Sequence, residues 1–417
     1  MLKKIFFGWY IVAAALLLHA YSAGTIGFGF TAVIAPIAAT FGWSYAQISF
    51  GASLRGLEEG TLDPFVGMAA DRWPARRLMI IGVVTYGLGI LCISQATNLA
   101  TFYIGFVVLG LGHSLAVSMV PQTMIARWFK KNLGKASAVL SMGGPIGGVL
   151  VPVMVIMIDT YSWQTALLIV AVGMWLIGIP LSFAFRPGPK EHGILPDGKP
   201  PDDAKWQSGS ESYNLSVGVK EALKMRAFWQ MGIAYMLQAG PIHAVITHLM
   251  PYLVSLGVER STASIVAMFI PLVNLTARLP FGWLADIFPK KYVFAVSIGV
   301  TSAGLLLLGL VDGDSFVLIG AFVVIFGMGW AGLGALKTPI VREYFGTKNF
   351  GTIFGLIRVF SMIGLLVYPP VAGWVYDTRG TYDPIWFIYA GLAVVGTILM
   401  LTTPNPRNGS GLSRVLY

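Results

Sequence analysis

Ionisable side chains inside long apolar segments are the residues of this sequence most suited to binding or carrying charge. Seven of them lie away from the polar loops: Arg55, Glu58, Glu59, Asp63, Arg278, Lys337 and Arg358. A charge in apolar surroundings costs several kcal/mol, so those that persist there typically serve binding or coupling. Apolar segments also contain histidines, which titrate near neutral pH: His19, His113, His243 and His248.

Arg278 is the strongest candidate for a ligand-binding residue. The segment TARLPFGWLAD has no acidic residue within one helical turn of it. A guanidinium carries a planar fork of donors that matches a carboxylate in bidentate fashion. We therefore predict that Arg278 binds the carboxylate of a small substrate. The alternative is a pair with Asp63, which lies 215 residues earlier, that closes the cytoplasmic end.

The other charged groups have structural interpretations as well. Arg55 and Glu59 are one helical turn apart, so they form either a structural ion pair or part of a coupling site. Lys337 lies five residues before Arg342, close enough to extend its ammonium to the membrane interface. Arg358 is either a second substrate-binding cation or the partner of Glu58 or Glu59.

Some ionisable groups of the apolar segments could also bind and release a proton. The candidates in apolar segments are Glu59, His19, His248 and Asp63. Side chains that could line a substrate site beside Arg278 and Arg358 are Asn274, Phe28, His19, Tyr235, Trp330 and Tyr368. Each of the aromatic residues has packing in the core or against lipid as its alternative role.

The elements that must position these residues are membrane helices. Hydrophobic residues make up 56% of the 417 residues and charged residues 11%, against about 25% charged in a soluble domain. Runs of about 20 apolar residues, the length that crosses a bilayer, predict twelve spans. They lie near 7–35, 46–67, 78–97, 102–125, 136–157, 164–184, 227–254, 262–283, 292–311, 316–340, 351–372 and 385–403. The first run is about twice as long as a signal-peptide core, so we expect a retained helix.

The net charge of +10 is explained by topology. Lys and Arg crowd alternate loops, whereas the opposite loops carry only Arg260 and Arg379 beside several acids. The positive-inside rule then predicts that both termini and the long central loop are cytoplasmic, and no nucleic-acid partner is expected. The single cysteine, Cys92, excludes a disulfide, and the histidines lack metal-ligand spacing, so no metal or cofactor is expected. Because the sequence contains no catalytic motif and no P-loop, we expect a protein that is not an enzyme.

The sequence repeats at an offset of 215 residues. Gly67, Asp71 and Arg127 recur as Gly282, Asp286 and Arg342. This predicts an all-α membrane protein with two pseudo-symmetric six-helix bundles at 1–185 and 227–405, a cytoplasmic linker at 186–226 and a tail at 406–417. Two matching loops between the second and third spans of each half form the predicted cytoplasmic gate: Gly67, Asp71, Arg72, Gly282 and Asp286.

This architecture and its loop motif resemble the major facilitator superfamily. NLTARLPFG at 274–282, RWFKKNLGKASAVLSMGGPIGG at 127–148 and FFGWYIV at 6–12 resemble segments of the monocarboxylate transporters, close to the oxalate/formate antiporters. The resemblance implies that Arg278 binds the substrate carboxylate. Two features depart from the family pattern. Asn274 replaces the acid one turn before the arginine, and GTIGFGFTAV lacks the first-helix lysine of the animal members.

The predicted function is proton-coupled symport of lactate-like or pyruvate-like monocarboxylates, by rocking of the two bundles. The alternatives are an antiporter of oxalate-type dianions using Arg278 and Arg358, an exporter of drugs or lipophiles, and a non-transporting sensor. The expected partners are a small carboxylate, protons and membrane lipid. We expect a monomer in the plasma membrane, the inner membrane of a bacterium.

Overall fold

The computed structural model describes residues 6–54, 61–129, 132–186, 188, 217–312, 315–346 and 350–405. Within these ranges the chain is helical and contains no β-strand. It divides into two compact units, Met1–Gly209 and Ser210–Tyr417. The boundary between them falls inside the predicted linker 186–226.

Unit 1 contains the first six membrane helices. They are α1 (Gly8–Ala32, continued by Ile34–Phe41), α2 in two described parts (α2a, Tyr45–Leu54, and α2b, Asp63–Arg72), α3 (Ala75–Ser94), α4 (Leu99–Trp128), α5 (Lys135–Thr160) and α6 (Trp163–Ser182). α3 packs against α4 and α6, and α1 packs against α5. Gly147 permits the close approach of α1 and α5, since a Cβ atom at this position would lie 2.3 Å from the carbonyl oxygen of Ala20.

Unit 2 begins with a short helix, Val219–Lys224, whose Glu221 carboxylate accepts from the N–H of Gly218 at 3.0 Å. Its membrane helices are α7 (Arg226–Ser255), α8 (Arg260–Ile287), α9 (Lys290–Gly309), α10 (Phe316–Phe345), α11 (Phe350–Arg379) and α12 (Asp383–Leu401). α9 packs against α10 and α12, while α7 packs against α11.

The predicted spans coincide with these helices. Ten helices of the described chain are long and apolar enough to cross a membrane. α7 has 30 residues but carries several polar side chains, which lower its hydropathy. α2 is divided by residues 55–60, which lie outside the described residues together with the predicted sites Arg55, Glu58 and Glu59.

The sequence repeat is also present in the backbone. Gly42 and Gly257, which are 215 residues apart, follow the first membrane helix of each unit and have φ values of 67° and 87°. These left-handed conformations favour glycine because it has no Cβ atom. The two units therefore share a backbone turn that the sequence repeat marks.

A second repeated feature joins the third helix of each unit to the end of the sixth. Arg76 donates through Nη2 to the carbonyl oxygen of Phe183 at 3.3 Å, and Lys291 donates through Nζ to that of Thr403 at 3.0 Å. The two basic residues are again 215 apart. A cation is favourable at a helix C-terminus, where the carbonyl groups carry partial negative charge.

α1 and α4 of unit 1 each contain a π-helical turn. In α1 it covers Ala23–Phe28 and in α4 it covers Ser114–Ser118. A π-turn is wider than an α-turn and is often found at functional sites. Among the described residues, the corresponding helices of unit 2, α7 and α10, are regular throughout.

Candidate functional site

Arg278 lies on α8 and is oriented by the residue one turn before it. Its Nε donates to Oδ1 of Asn274 at 3.1 Å. Asn274 is fully buried, whereas Arg278 is half-buried. The asparagine therefore holds Nε of the guanidinium by a hydrogen bond and leaves the positive charge of Arg278 in place. An acid at position 274 would neutralise that charge.

The guanidinium also lies close to the backbone of α10. A Cβ atom on Gly334 would stand 3.4 Å from Cζ, Nε and Nη2 of Arg278. Because residue 334 is glycine, it contributes no side chain at this contact. The planar group is thus fixed by Asn274 at one edge and has the bare backbone of α10 beside it.

Lys337 lies three residues after Gly334 on α10 and is surrounded by groups of two other helices. Its Nζ is 3.4 Å from Oγ of Ser361 on α11, and 5.7 and 5.8 Å from the ring centroids of Tyr235 and Phe354. Cation–π contacts of this kind stabilise an ammonium in apolar surroundings. The lysine therefore contacts α7 and α11. The sequence predicted only that its ammonium extends to the membrane interface, and did not predict these contacts.

Arg358 lies on α11 between two residues that contact Lys337. Phe354 precedes it by four residues and Ser361 follows it by three, so the three share one face of the helix. Trp330, Gly334 and Lys337 share a face of α10 by the same spacing. Unit 2 therefore brings three cations, Arg278, Lys337 and Arg358, to neighbouring faces of α8, α10 and α11.

The predicted aromatic residues occupy two kinds of environment. Tyr235 is fully buried, packs on Phe294 at 4.7 Å between ring centroids and donates to the carbonyl oxygen of Lys337 at 3.3 Å. Tyr368 is buried beside Tyr389 at 4.8 Å. The two tyrosines thus pack in the core of unit 2, while Phe28 and Trp330 are half-buried.

The two histidine candidates are both fixed by hydrogen bonds. His248 is fully buried, with Nδ1 3.0 Å from the hydroxyl of Tyr382 and Nε2 2.9 Å from the carbonyl oxygen of Pro369. It therefore joins α7 to α11 and α12. His19 on α1 has Nδ1 3.2 Å from the carbonyl oxygen of Leu140 on α5.

Asp63 is the candidate carboxylate that the structure describes in unit 1. It is 3% exposed, and the hydroxyl of Ser114 on α4 donates to its Oδ1. Sequence reasoning did not find Ser114, because the two residues are 51 positions apart and only the packing of α4 against α2b joins them.

The predicted cytoplasmic gate is described only in part. Gly67, Asp71 and Arg72 lie in α2b, and Gly282 and Asp286 lie in α8. Side-chain contacts of the acids fall outside the described part of the chain. The neighbouring helix ends are tied by Arg127, whose Nη2 donates to the carbonyl oxygen of Ala70 at 2.9 Å, and by an ion pair of Lys290 with Glu343 at 2.7 Å.

The sequence profile of the Major Facilitator Superfamily matches residues 12–275 and 244–415. The chain belongs to this superfamily. The superfamily fold implies twelve membrane helices, so the predicted fold class is confirmed. The chain is an integral multi-pass membrane transporter and not an enzyme.

The chain is also similar to individual members. Monocarboxylate transporter 12 of Rattus norvegicus is 25% identical over 386 residues, which cover 87% of this chain and 78% of the relative. Monocarboxylate transporter 11 of Homo sapiens is 24% identical over 413 residues, covering 95% and 83%. The nucleoside transporter NupG has a similar structure, with a TM-score of 0.74, 16% identity and coverage of 95% of this chain and 98% of that chain. The predicted resemblance to the monocarboxylate transporters is confirmed.

Proposed function

We propose that this transporter is a proton-coupled symporter of small monocarboxylates of the size of lactate or pyruvate. The observation that carries the proposal is Arg278, a guanidinium in a membrane helix that is held by the neutral side chain of Asn274 and lies beside Gly334 of α10. The proposal is further supported by relatives that are named monocarboxylate transporters.

The chemistry follows from the two side chains. A guanidinium binds a carboxylate through two parallel N–H···O bonds, which set its orientation as well as its affinity. Asn274 holds Nε, and the terminal nitrogens are the donors that this proposal assigns to the substrate carboxylate. Asn274 cannot bind a proton, so the coupled proton must be carried by another group. When Arg278 neutralises the charge of the substrate, the electrostatic cost of reorienting the loaded carrier is lower.

A dianion is the second candidate substrate, by antiport of the oxalate type. It is favoured by Lys337 on α10 and Arg358 on α11, two further cations of unit 2; Lys337 contacts Ser361 and Phe354, which flank Arg358 on α11. A second carboxylate would reduce the repulsion among these three charges. In this alternative Arg278 and Arg358 each bind one end of the substrate.

The proposed setting follows the distribution of charge. Basic loops predict cytoplasmic termini and a cytoplasmic linker in the plasma membrane, the inner membrane of a bacterium. We propose that the carrier works as a monomer, and that the two loop motifs at Gly67–Arg72 and Gly282–Asp286 close its cytoplasmic side.

Uptake by proteoliposomes tests the proposal. The substrates are acetate, lactate, pyruvate, oxalate and a lipophilic cation, each with and without an inward proton gradient. Accumulation of lactate or pyruvate only with the gradient is the expected result. Oxalate exchange independent of the gradient would favour the antiporter. Transport of the lipophilic cation alone, unchanged in Arg278→Ala, would overturn both.

A further inference from the structure

Asp63 and Ser114 form a pair of buried polar residues in unit 1. Neither residue has a role in the proposed binding of substrate by Arg278. Asp63 begins α2b and Ser114 begins the π-turn of α4. The carboxyl group is 3% exposed and Ser114 is fully buried. A carboxylate at such a place either has its charge balanced by partners or takes up a proton, because an ionised group is costly in apolar surroundings.

The partner of Asp63 suits a group that changes its protonation state. A serine hydroxyl is both donor and acceptor, and its hydrogen rotates to match its neighbour. Ser114 donates to the carboxylate as the structure stands, and it can accept from the acid once Oδ1 is protonated. Both states of Asp63 therefore keep a hydrogen bond to Ser114, so neither state leaves that buried hydroxyl unsatisfied.

The π-turn supplies a second, independent observation. It begins at Ser114, the residue that contacts Asp63, and the matching helix α10 of unit 2 has no such turn among the described residues. A π-turn breaks the regular ladder of backbone hydrogen bonds and is common where a helix serves a functional site. The irregular turn thus lies where α4 meets the carboxyl group.

Among the described residues, α4 also carries the titratable or charged groups His113 and Arg127 near this contact. His113 precedes Ser114, and its ring centroid lies 6.2 Å from that of Tyr86 on α3. Arg127 donates to the carbonyl oxygen of Ala70, about 10 Å farther along α2b from Asp63 at 1.5 Å per residue. On α2b itself, Asp71 and Arg72 lie two turns beyond Asp63.

We infer that Asp63 carries the coupled proton and that Ser114 is its positioning residue. On the loading side, a proton from water binds a carboxylate oxygen of Asp63, giving a neutral acid while the substrate binds. On the opposite side the acid returns the proton to water and becomes a carboxylate again. This inference rests on the proposed function for its transport role, but the proton-binding site has a test of its own.

The first test is transport by proteoliposomes containing Asp63→Asn. With an inward gradient of one pH unit, worth 1.36 kcal/mol, 1:1 symport supports up to about tenfold accumulation of lactate. We expect the wild type to accumulate lactate and Asp63→Asn to lose accumulation while keeping lactate exchange within about threefold. The control is Asp383→Asn, because Asp383 also bonds to hydroxyl groups, Tyr252 at 3.1 Å and Thr381 at 2.8 Å, but begins α12 next to a loop. Accumulation by Asp63→Asn at the wild-type level would overturn the inference.

The second test needs no substrate. Infrared difference spectra of the purified protein, recorded across a pH titration, report the carbonyl band of a protonated carboxylic acid. We expect a band that titrates in the wild type, is absent in Asp63→Asn, shifts its titration in Ser114→Ala and persists in Asp383→Asn. A spectrum unchanged in Asp63→Asn would refute proton binding at Asp63. If the band behaves as expected and no carboxylate is transported by the wild type, the proposed function fails while the proton site stands.

Discussion

Replacing Arg278 by lysine separates the geometry of the guanidinium from its charge. The substitution keeps one positive charge on α8 but removes the fork of donors, so a bound carboxylate loses one of two parallel hydrogen bonds. A hydrogen bond to a charged group contributes about 1.5–3 kcal/mol. Since about 1.4 kcal/mol is a factor of ten, we expect the KM for lactate to rise by roughly 10- to 100-fold.

The structure adds a second effect of this substitution. Nε of Arg278 is the partner of Asn274 Oδ1 at 3.1 Å, and Asn274 is fully buried. Lysine has no atom that reproduces Nε while its ammonium binds the substrate, so the amide oxygen loses its bond or competes for the ammonium. Both outcomes weaken binding further, so a rise in KM of about tenfold is the smallest that we expect.

The assay is initial-rate uptake of radiolabelled lactate by proteoliposomes over a range of concentrations. Arg342→Lys is the matched control, because Arg342 is an exposed arginine at the end of α10. We expect its KM to remain at the wild-type value. A KM for Arg278→Lys within twofold of the wild type would refute the bidentate role of Arg278, and a rise of equal size in both variants would point to a general effect on folding.

Three further predictions concern the site and its supporting helices. Asn274→Ala removes the neutral bond that orients Arg278, and one such bond contributes about 0.5–1.5 kcal/mol, so the KM for lactate should rise by roughly two- to tenfold. Gly304→Ala should lower the free energy of unfolding by about 1–3 kcal/mol, because its Cβ would lie 2.7 Å from Cα of Phe326; a thermal melt in detergent measures this. Lys291→Met removes the bond to the carbonyl oxygen of Thr403, just after α12, and should cost about 1–3 kcal/mol in the same melt.

Each of these predictions has its own control. Gly355→Ala belongs beside Gly304→Ala, because a Cβ at Gly355 would meet no atom within 4 Å. An equal loss of stability in both glycine variants would contradict the packing argument. Asn274→Gln keeps an amide on a longer side chain; if Asn274→Ala leaves KM unchanged, the asparagine does not orient the arginine. A melt of Lys291→Met that matches the wild type would show that the end of α12 needs no cation.

Much of the fold could be predicted because its determinants are local. Apolar runs of the length of a bilayer locate the helices, and the repeat of Gly42 at Gly257 marks a turn that both units adopt. The relation between Asn274 and Arg278 was predictable for the same reason, since one helical turn joins them. The role of each in binding a substrate remains a prediction.

The remaining features of the site depend on contacts between distant segments. Nothing in the sequence near Asp63 identifies Ser114, and the snorkelling expected of Lys337 rested on its distance from Arg342 alone. Its contacts with Tyr235 and Ser361 arise from the packing of α7 and α11 around α10. The contact of Gly334 with the Arg278 guanidinium likewise depends on the packing of α8 against α10.

The π-turn in α4 also bears on how the two halves of the chain diverged. Gly112 and Gly329 occupy equivalent places, since a Cβ on each would meet the backbone nitrogen of Tyr86 or Thr301, at 2.3 and 2.4 Å. Yet 15 positions separate Gly112 from Arg127, against 13 between Gly329 and Arg342. The two extra residues of α4 lie in the part of the helix that contains the π-turn Ser114–Ser118. The two additional residues of α4 are accommodated by this wider turn, which places the Ser114 hydroxyl beside Asp63.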